Sequence, residues 1–536
     1  MRVRSFVLLA SIALCAPAAM AQDKGKGKGK DKAEPMKFSP EEVDKGAPKS
    51  RALEKAEKLY DNRDYYSATI ELHKVVEGET GDSEANRQRA ELTMGKALFH
   101  LEFYSAALSY FDRIVQKGDT HAYYRATLKW LASLSTKLPE SVLLLEKIGK
   151  YSRVDLDDKE LEDERDQLLY LMGRWHYTQG NLKDASALFA EVAPESNFFV
   201  RAQFFLGVTH VRNYEAKPAA EAFKAILRVA IERPDTPDID EWKEMANLSL
   251  ARVFYSVHQW EASIKYYDKL PQGSSYWLAS LFESSWAHYQ MDNFQKALGN
   301  IHTLNAPYFE TEFFPESLVL KAVIYWKNCL YERAADAIAD FNGIYPPLRK
   351  DLDELLDKVQ EPTEFYDVAQ KIRGGKGSGL REPVQRLAKS YLMDRTLKKQ
   401  FDYVEELDRE LALVKKADPA WQATAIASTI IQDLTLQQSL AKNDVGGMAR
   451  KRLERGRDEI QDMFKQTIKV EFETINALKG QAEAELRDEQ VQNPKGVSQL
   501  EITADDEHEM WPFDGEYWKD ELGTYRFRLA SRCGKK

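Results

Sequence analysis

The chain is 536 residues long and carries 76 Lys and Arg against 86 Asp and Glu, a formal net charge of −10. That acidic balance argues against nucleic-acid binding as a general property. The length exceeds one ordinary compact domain and three cysteines are too few for a disulfide framework, so an array of smaller units is the expected organisation.

In chain order, Arg2 and Arg4 precede an apolar stretch from Phe6 to Ala19, and Ala19-Met20-Ala21 has the small residues of a cleavage site. Residues 1–21 are therefore expected to be a signal peptide, with the exported chain starting at Gln22. Pro17 interrupts this apolar run and later hydrophobic segments carry charges at helical spacing, so no transmembrane helix is expected after signal removal. A lipoprotein anchor through Cys15 is the weaker alternative, because Leu14 stands where such signals want a small residue. Residues 22–50 follow as a linker in which Lys24, Lys26, Lys28, Lys30 and Lys32 alternate with Gly25, Gly27 and Gly29. A solvated spacer is the favoured reading of that tract, ahead of attraction to anionic lipid or wall polymer.

Residues 51–346 repeat one helical pattern. A first pair reads Ala56, Leu59, Tyr60, Tyr65, Ala68, Leu72 and Val75, and a second reads Gly95, Leu98, Phe99, Tyr104, Ala107, Phe111 and Ile114. His121 to Tyr151 is periodic but irregular, and Asp155 to Asp166 reads as an acidic loop. The clearest member is Leu168 to Pro194: a helix through Gly173, a turn at Gly180-Asn181, a second helix through Ala185 and Phe189, and a proline stop. Small residues stand where antiparallel helices must approach, and large ones fill the space beside them. Gly173 and Gly207 are 34 apart, as are Ala251 and Ser285, and a small residue returns 12 places later at Ala185, Ala219, Ser263 and Ala297. Ten extra residues between Gly207 and Ala251 are assigned to a projecting loop, Glu232 to Asp238. A last unit, with Ala322, Tyr325, Tyr331, Ala334, Ile338 and Phe341, is expected to stop at Pro346-Pro347.

A helix-turn-helix recurring every 34 residues resembles the tetratricopeptide repeat (TPR) family over about Ala52 to Tyr345. The resemblance implies an all-α TPR superhelical solenoid. It also implies that residues one and four places after each small position line a partner groove. The later position reads Tyr60, Phe99, Tyr177, Val211, Tyr255, Tyr289 and Trp326, and the earlier one includes Lys96, Arg174, Arg252 and Trp286. An aromatic in six of seven units makes Arg174, Tyr177, Arg252, Tyr255, Trp286, Tyr289 and Trp326 the candidate groove, with the arginines pairing to a partner's carboxylates. The competing reading packs these rings against the neighbouring helix.

Residues 347–490 are expected to be a long-helix region. Leu348 to Ile372 reads as another helix pair, Gly374 to Gly379 as a linker without the spacing of a phosphate loop, and the following long helices as broken near Val445-Gly446-Gly447. Ile460, Met463, Phe464, Ile468 and Phe472 share one face. Residues 491–536 form a short irregular tail rich in aromatics, in which Trp511, Phe513, Tyr517 and Trp518 are candidate contacts, either with the chain's own helices or with a partner. Thr524 to Leu529 alternates like a short strand. Cys329 falls in a repeat turn and Cys533 near the end, and the sequence leaves open whether they pair.

No catalytic, cofactor or metal motif stands out, and His176, His210 and His288 recur at one repeat position, as scaffold residues would. The leader, the degenerate units and the Trp511 to Tyr525 tail look like the periplasmic TPR proteins of myxobacterial adventurous gliding machinery. The implied function is an exported non-catalytic scaffold, periplasmic or peripherally associated with the outer membrane, binding protein partners in a cell-envelope complex. An outer-membrane or cell-wall assembly factor is the alternative of the same class. An envelope enzyme with its active site in residues 380–536 is the alternative of another class.

Overall fold

The computed structural model describes residues 48–139, 142–309, 312–375, 377–486 and 511–533. The expected signal peptide, Cys15 and nearly all of the lysine-rich linker lie outside the described residues. The described residues form helices and turns with no strand, the all-α TPR-type repeat architecture. Two compact units result, one of residues up to Asn213 with Lys398–Lys442, the other of Tyr214–Leu397 with the residues from Asn443 onward.

The first unit contains α1 (Arg51–Asp61), α2 (Tyr65–Val76), α3 (Glu84–His100), α4 (Tyr104–Lys117), α5 (Tyr124–Ser135), α6 (Val142–Ile148), α7 (Arg165–Thr178), α8 (Leu182–Ala190) and α9 (Phe199–Arg212). The second opens with α10 (Ala216–Glu232), α11 (Ile239–Ser256), α12 (Trp260–Tyr267), α13 (Trp277–Gln290), α14 (Phe294–Leu304) and α15 (Pro315–Lys327), and continues with α16 (Tyr331–Lys358), α17 (Pro362–Gly374) and α18 (Glu382–Leu392). The chain ends in α19 (Arg395–Val414), α20 (Pro419–Gln422) and α21 (Ala425–Leu486).

Packing inside a pair follows the small-against-large rule. A methyl group on Gly173 would sit 2.7 Å from the Phe189 ring, so α7 and α8 meet closely only because position 173 has no side chain. Ala56, Ala251 and Ala322 take the same place fully buried. The turn within each pair is set by one residue in the left-handed region: Arg63, Glu102, Gly180, Tyr214, His258, Asp292 and Cys329. Only one of the seven is glycine, so six turns carry the steric cost that a β-carbon meets there, about 1–2 kcal/mol each.

Three sequence expectations change. The ten-residue excess before Ala251 is largely helix: α10 has 17 residues and α11 has 18, against 9 in α8 and 14 in α9, leaving a loop of Arg233 to Asp238. The last repeat does not stop at Pro346-Pro347, because α16 runs through both to Lys358. Tyr345, Leu348, Leu352, Leu355 and Leu356 continue its buried face. At roughly 1.5–3 kcal/mol per buried side chain they offset the lost hydrogen bonds. Nor is there a break at Gly446-Gly447, since α21 is one helix of 62 residues. A β-carbon on Gly446 would lie 1.7 Å from the Pro362 carbonyl oxygen, so this glycine admits the start of α17 instead of ending α21.

In the first unit, the returning chain closes the array with buried polar bonds. The α4 N-cap residue, Phe103, has no side chain able to accept from the first-turn amides. Glu410, fully buried on α19, accepts from Ser105 N at 2.7 Å and Ala106 N at 2.9 Å in its stead. Burial pushes its carboxyl up to about 7 against the pull of those amides. Beside it the Trp421 indole donates to Thr69 Oγ1 at 3.0 Å and packs edge-on to Tyr66, and Asp433 accepts from Ser109 Oγ at 2.6 Å.

Candidate partner-binding surfaces

The first helix of each pair carries the candidate groove residues, and the structure sorts them into two groups. Tyr177 and Tyr255 are buried, and burial raises the Tyr255 hydroxyl to about 12. Their rings face neighbours: Arg212 lies 4.6 Å from the Tyr177 ring centre, and Trp260 packs edge-on to Tyr255 at 4.7 Å. Trp286, Tyr289 and Trp326 are half-buried and sit together on the core of α13 to α16. Lys327 lies 5.0 Å from the Tyr289 ring and 4.9 Å from Phe294, a cation already over aromatic faces.

The position one place after the small residue makes the stitch between successive pairs. Arg252 forks onto Glu283 on α13, with Nε to Oε2 at 2.8 Å and Nη2 to Oε1 at 2.6 Å, and Tyr267 donates to the same carboxylate at 2.9 Å. Glu283 is 5% exposed. Burial pulls the Arg252 guanidinium down, but the Glu283 charge and its hydrogen bonds outweigh this and hold it above its usual value. Arg174, at the equivalent place in α7, lies 3.8 Å from the Phe205 ring on α9 and donates to Tyr170 Oη at 2.9 Å. Phe205 and Glu283 each stand two places before the next small residue, Gly207 and Ser285. The expectation that Arg174 and Arg252 face a partner's carboxylates is thus corrected: these guanidinium groups bind the following pair. Glu283 was missed because nothing local marks it, although the 31-residue spacing to Arg252 was available.

The tail forms a strap over α13 to α15. Leu522 enters a pocket of Trp277, Leu281, Leu304 and Ala306, and Leu529 joins the core around Ala297 and Ile301. Backbone bonds fix it between these anchors: Gly523 N to Thr303 Oγ1 at 3.0 Å, Lys296 Nζ to Gly523 O at 2.5 Å, Phe527 N to Gln295 O at 3.0 Å and Arg532 N to Asn328 O at 3.0 Å. A β-carbon on Gly299 would collide with the Tyr525 carbonyl at 1.7 Å. The expected strand over Thr524 to Leu529 is extended chain without a ladder, since a helical surface offers no row of free amides to pair with. Cys533 then joins Cys329 in a disulfide spanning 204 residues of sequence, with the α-carbons 5.1 Å apart.

The four candidate tail residues separate along the strap. Tyr517 is half-buried, stacking on His302 at 5.0 Å, and Phe513 meets the same imidazole edge-on at 4.7 Å. Burial lowers the His302 pKa, with Lys321 adding to the effect. Trp511 and Trp518 point outward. Between strap and helices lies a cleft of about 340 Å³ that includes Ile301, His302, Lys321, Tyr325, Asp340 and Tyr517. His288, one of the recurring histidines, is buried on α13, and burial takes its pKa down to about 4. Among the described residues no group of three or more His, Cys, Asp or Glu is placed to hold a metal ion, and no helix is long and apolar enough to cross a membrane.

No protein-family model matches the chain, and no curated protein matches it. Solved structures do. A tetratricopeptide repeat protein from Parabacteroides merdae aligns at 16% identity over 55% of this chain and 91% of its own, with a TM-score of 0.24. The apo form of RapI aligns at 11% identity over 68% of this chain and 98% of its own, with a TM-score of 0.33. Yeast Tom70 aligns at 14% identity over 72% and 96%, with a TM-score of 0.21.

Proposed function

We propose that this chain is an exported, non-catalytic TPR-type scaffold that binds protein partners in a cell-envelope complex. The observation that carries the reading is the aromatic cluster of Trp286, Tyr289 and Trp326, on first helices, half-open beside a positioned lysine. Such rings supply large contact area at low entropic cost, as interface anchors do. The partner groove is accordingly narrowed to α13 and α15, with Arg174, Tyr177, Arg252 and Tyr255 packed against their own neighbouring helices. Export is supported by the leader-like pattern of Arg2, Arg4 and Ala19-Met20-Ala21, and by a disulfide of the kind that persists in oxidising compartments. The gliding machinery is the finer assignment, and it rests on the likeness of the leader, the irregular units and the aromatic tail to periplasmic proteins of that system.

A photo-crosslinking residue at position 289 or 326, in the full chain expressed in its own envelope, is expected to capture a discrete protein. The same residue at position 214 should not. Trp286→Ala with Tyr289→Ala should abolish capture at temperatures well below the variant's own melting point, which the loss of two core-packed rings lowers. Undiminished capture by that variant would refute the groove assignment.

A further inference from the structure

The outward face of the strap has a composition that its docking does not require. Trp511 is 80% exposed, Trp518 58% and Phe513 45%, while Tyr308 beside them is 50% exposed and donates to Tyr517 O at 2.9 Å. Three large rings left in water within eight residues mark an interaction site, especially on a segment fixed by backbone bonds and a disulfide. Interleaved with them are Asp514, Glu516 and Asp520, all exposed, against one basic residue, Lys519. That lysine lies 5.9 Å from the Tyr308 ring centre, so the patch already holds one cation over one aromatic face.

We infer that this face binds an arginine- or lysine-bearing segment of a protein partner. The cations stack over the Trp511 and Trp518 indoles and pair with Asp514, Glu516 and Asp520. Charge selects this occupant. A neutral apolar partner would bury three carboxylates without counter-charges, which costs several kcal/mol. An anionic membrane surface would be repelled by the same groups. A cation satisfies ring and carboxylate together, and arginine does so best because its planar head stacks and forks at once. Tyr308 and Gln272 hold the Tyr517 and Lys519 carbonyls and Phe513 packs on His302, which limits the conformational entropy lost on association.

The inference rests on the protein-binding reading but uses a surface separate from the α13 and α15 groove. The test is calorimetric titration of the full oxidised chain with a nine-residue alternating Arg-Gly peptide and its Glu-Gly counterpart, at low and physiological salt. The arginine peptide should bind saturably, weaken with salt, and lose about tenfold or more in affinity to Trp511→Ala with Trp518→Ala. Asp514→Asn with Glu516→Gln and Asp520→Asn should do the same from the charge side. All five side chains are exposed, so each variant should melt as wild type does. Equal binding of the glutamate peptide, or arginine-peptide binding indifferent to both variant sets, would overturn the inference. So would vesicle binding or self-association of the full chain that the tryptophan variants abolish, since a lipid surface or a second copy would then be the occupant. Trp286→Ala with Tyr289→Ala should leave peptide affinity unchanged. If the arginine peptide fails to bind while crosslinking from position 289 persists, this inference falls and the scaffold reading stands.

Discussion

The two units use returning chain in different ways. In the first, α19 to α21 bring a carboxylate to an uncapped helix start, where Glu410 accepts from two backbone amides. In the second, Glu283 is stabilised by the Arg252 fork and the Tyr267 hydroxyl, and an extended strap is added with main-chain bonds and a disulfide. A buried charge needs an opposite charge or several hydrogen bonds, and the Glu410 and Glu283 sites show one solution each. Glu410 and Trp421 of the helix-on-helix closure are buried against the repeats, whereas the strap leaves two tryptophans outward. Both proposed recognition surfaces lie in the second unit.

The largest expected effect comes from breaking the ionic solution. Arg252→Ala strands Glu283 and should lower the stability of the second unit by about 3–5 kcal/mol, read as an early transition in chemical denaturation. Next is the staple: Cys533→Ser should cost on the order of 2–4 kcal/mol, the usual worth of a disulfide, and speed proteolysis between residues 511 and 533. The amide solution is smaller. Glu410→Ala should cost about 1–3 kcal/mol and raise hydrogen exchange at Ser105 and Ala106, with exchange in α13 to α15 unchanged.

A pH series probes both units, since burial pushes Glu316 in the second to about 7 as it does Glu410 in the first. Glu316 on α15 is pushed up to about 7, first by burial and then by the Glu459 and Glu283 charges. A carboxyl raised in the folded state binds protons that the unfolded chain has released. Its contribution is therefore full below about 4.5 and is lost as pH rises through about 7. Melting of the second unit should fall between about pH 4.5 and 7 and level off above, and Glu316→Gln should flatten that slope and stabilise the protein at pH 8. The smallest effect is at the turns. Glu102→Gly relieves a left-handed conformation and should stabilise the first unit by no more than about 1 kcal/mol, since glycine also loses more entropy on folding.

Much of the repeat architecture was legible because it is written in local spacing. Gly173 with Phe189, the Gly180 turn and the period of 34 each follow from helix geometry that neighbouring residues enforce. The failures share a cause. Pro346-Pro347 and Gly446-Gly447 look like breaks only when the distant surfaces that bury Leu352 or admit Pro362 are unknown. The same blindness covers the site. Ring positions at Tyr255 and Tyr289 look identical in sequence, yet one is closed by Trp260 and its own neighbours while the other stays half-open. Arg252 read as a partner contact because Glu283 lies two helices on, 31 residues away, with no local motif to mark it. The Cys329 to Cys533 link, 204 residues apart in sequence, could be named as two cysteines but not joined.

The strap that staples the second unit and the proposed export of the chain are tested together. The most direct test is mass spectrometry of the chain purified from the envelope under alkylating, non-reducing conditions. The account predicts an amino terminus at Gln22 and a peptide pair linked through Cys329 and Cys533. A chain that keeps Met1 and carries both cysteines as alkylated free thiols would contradict it.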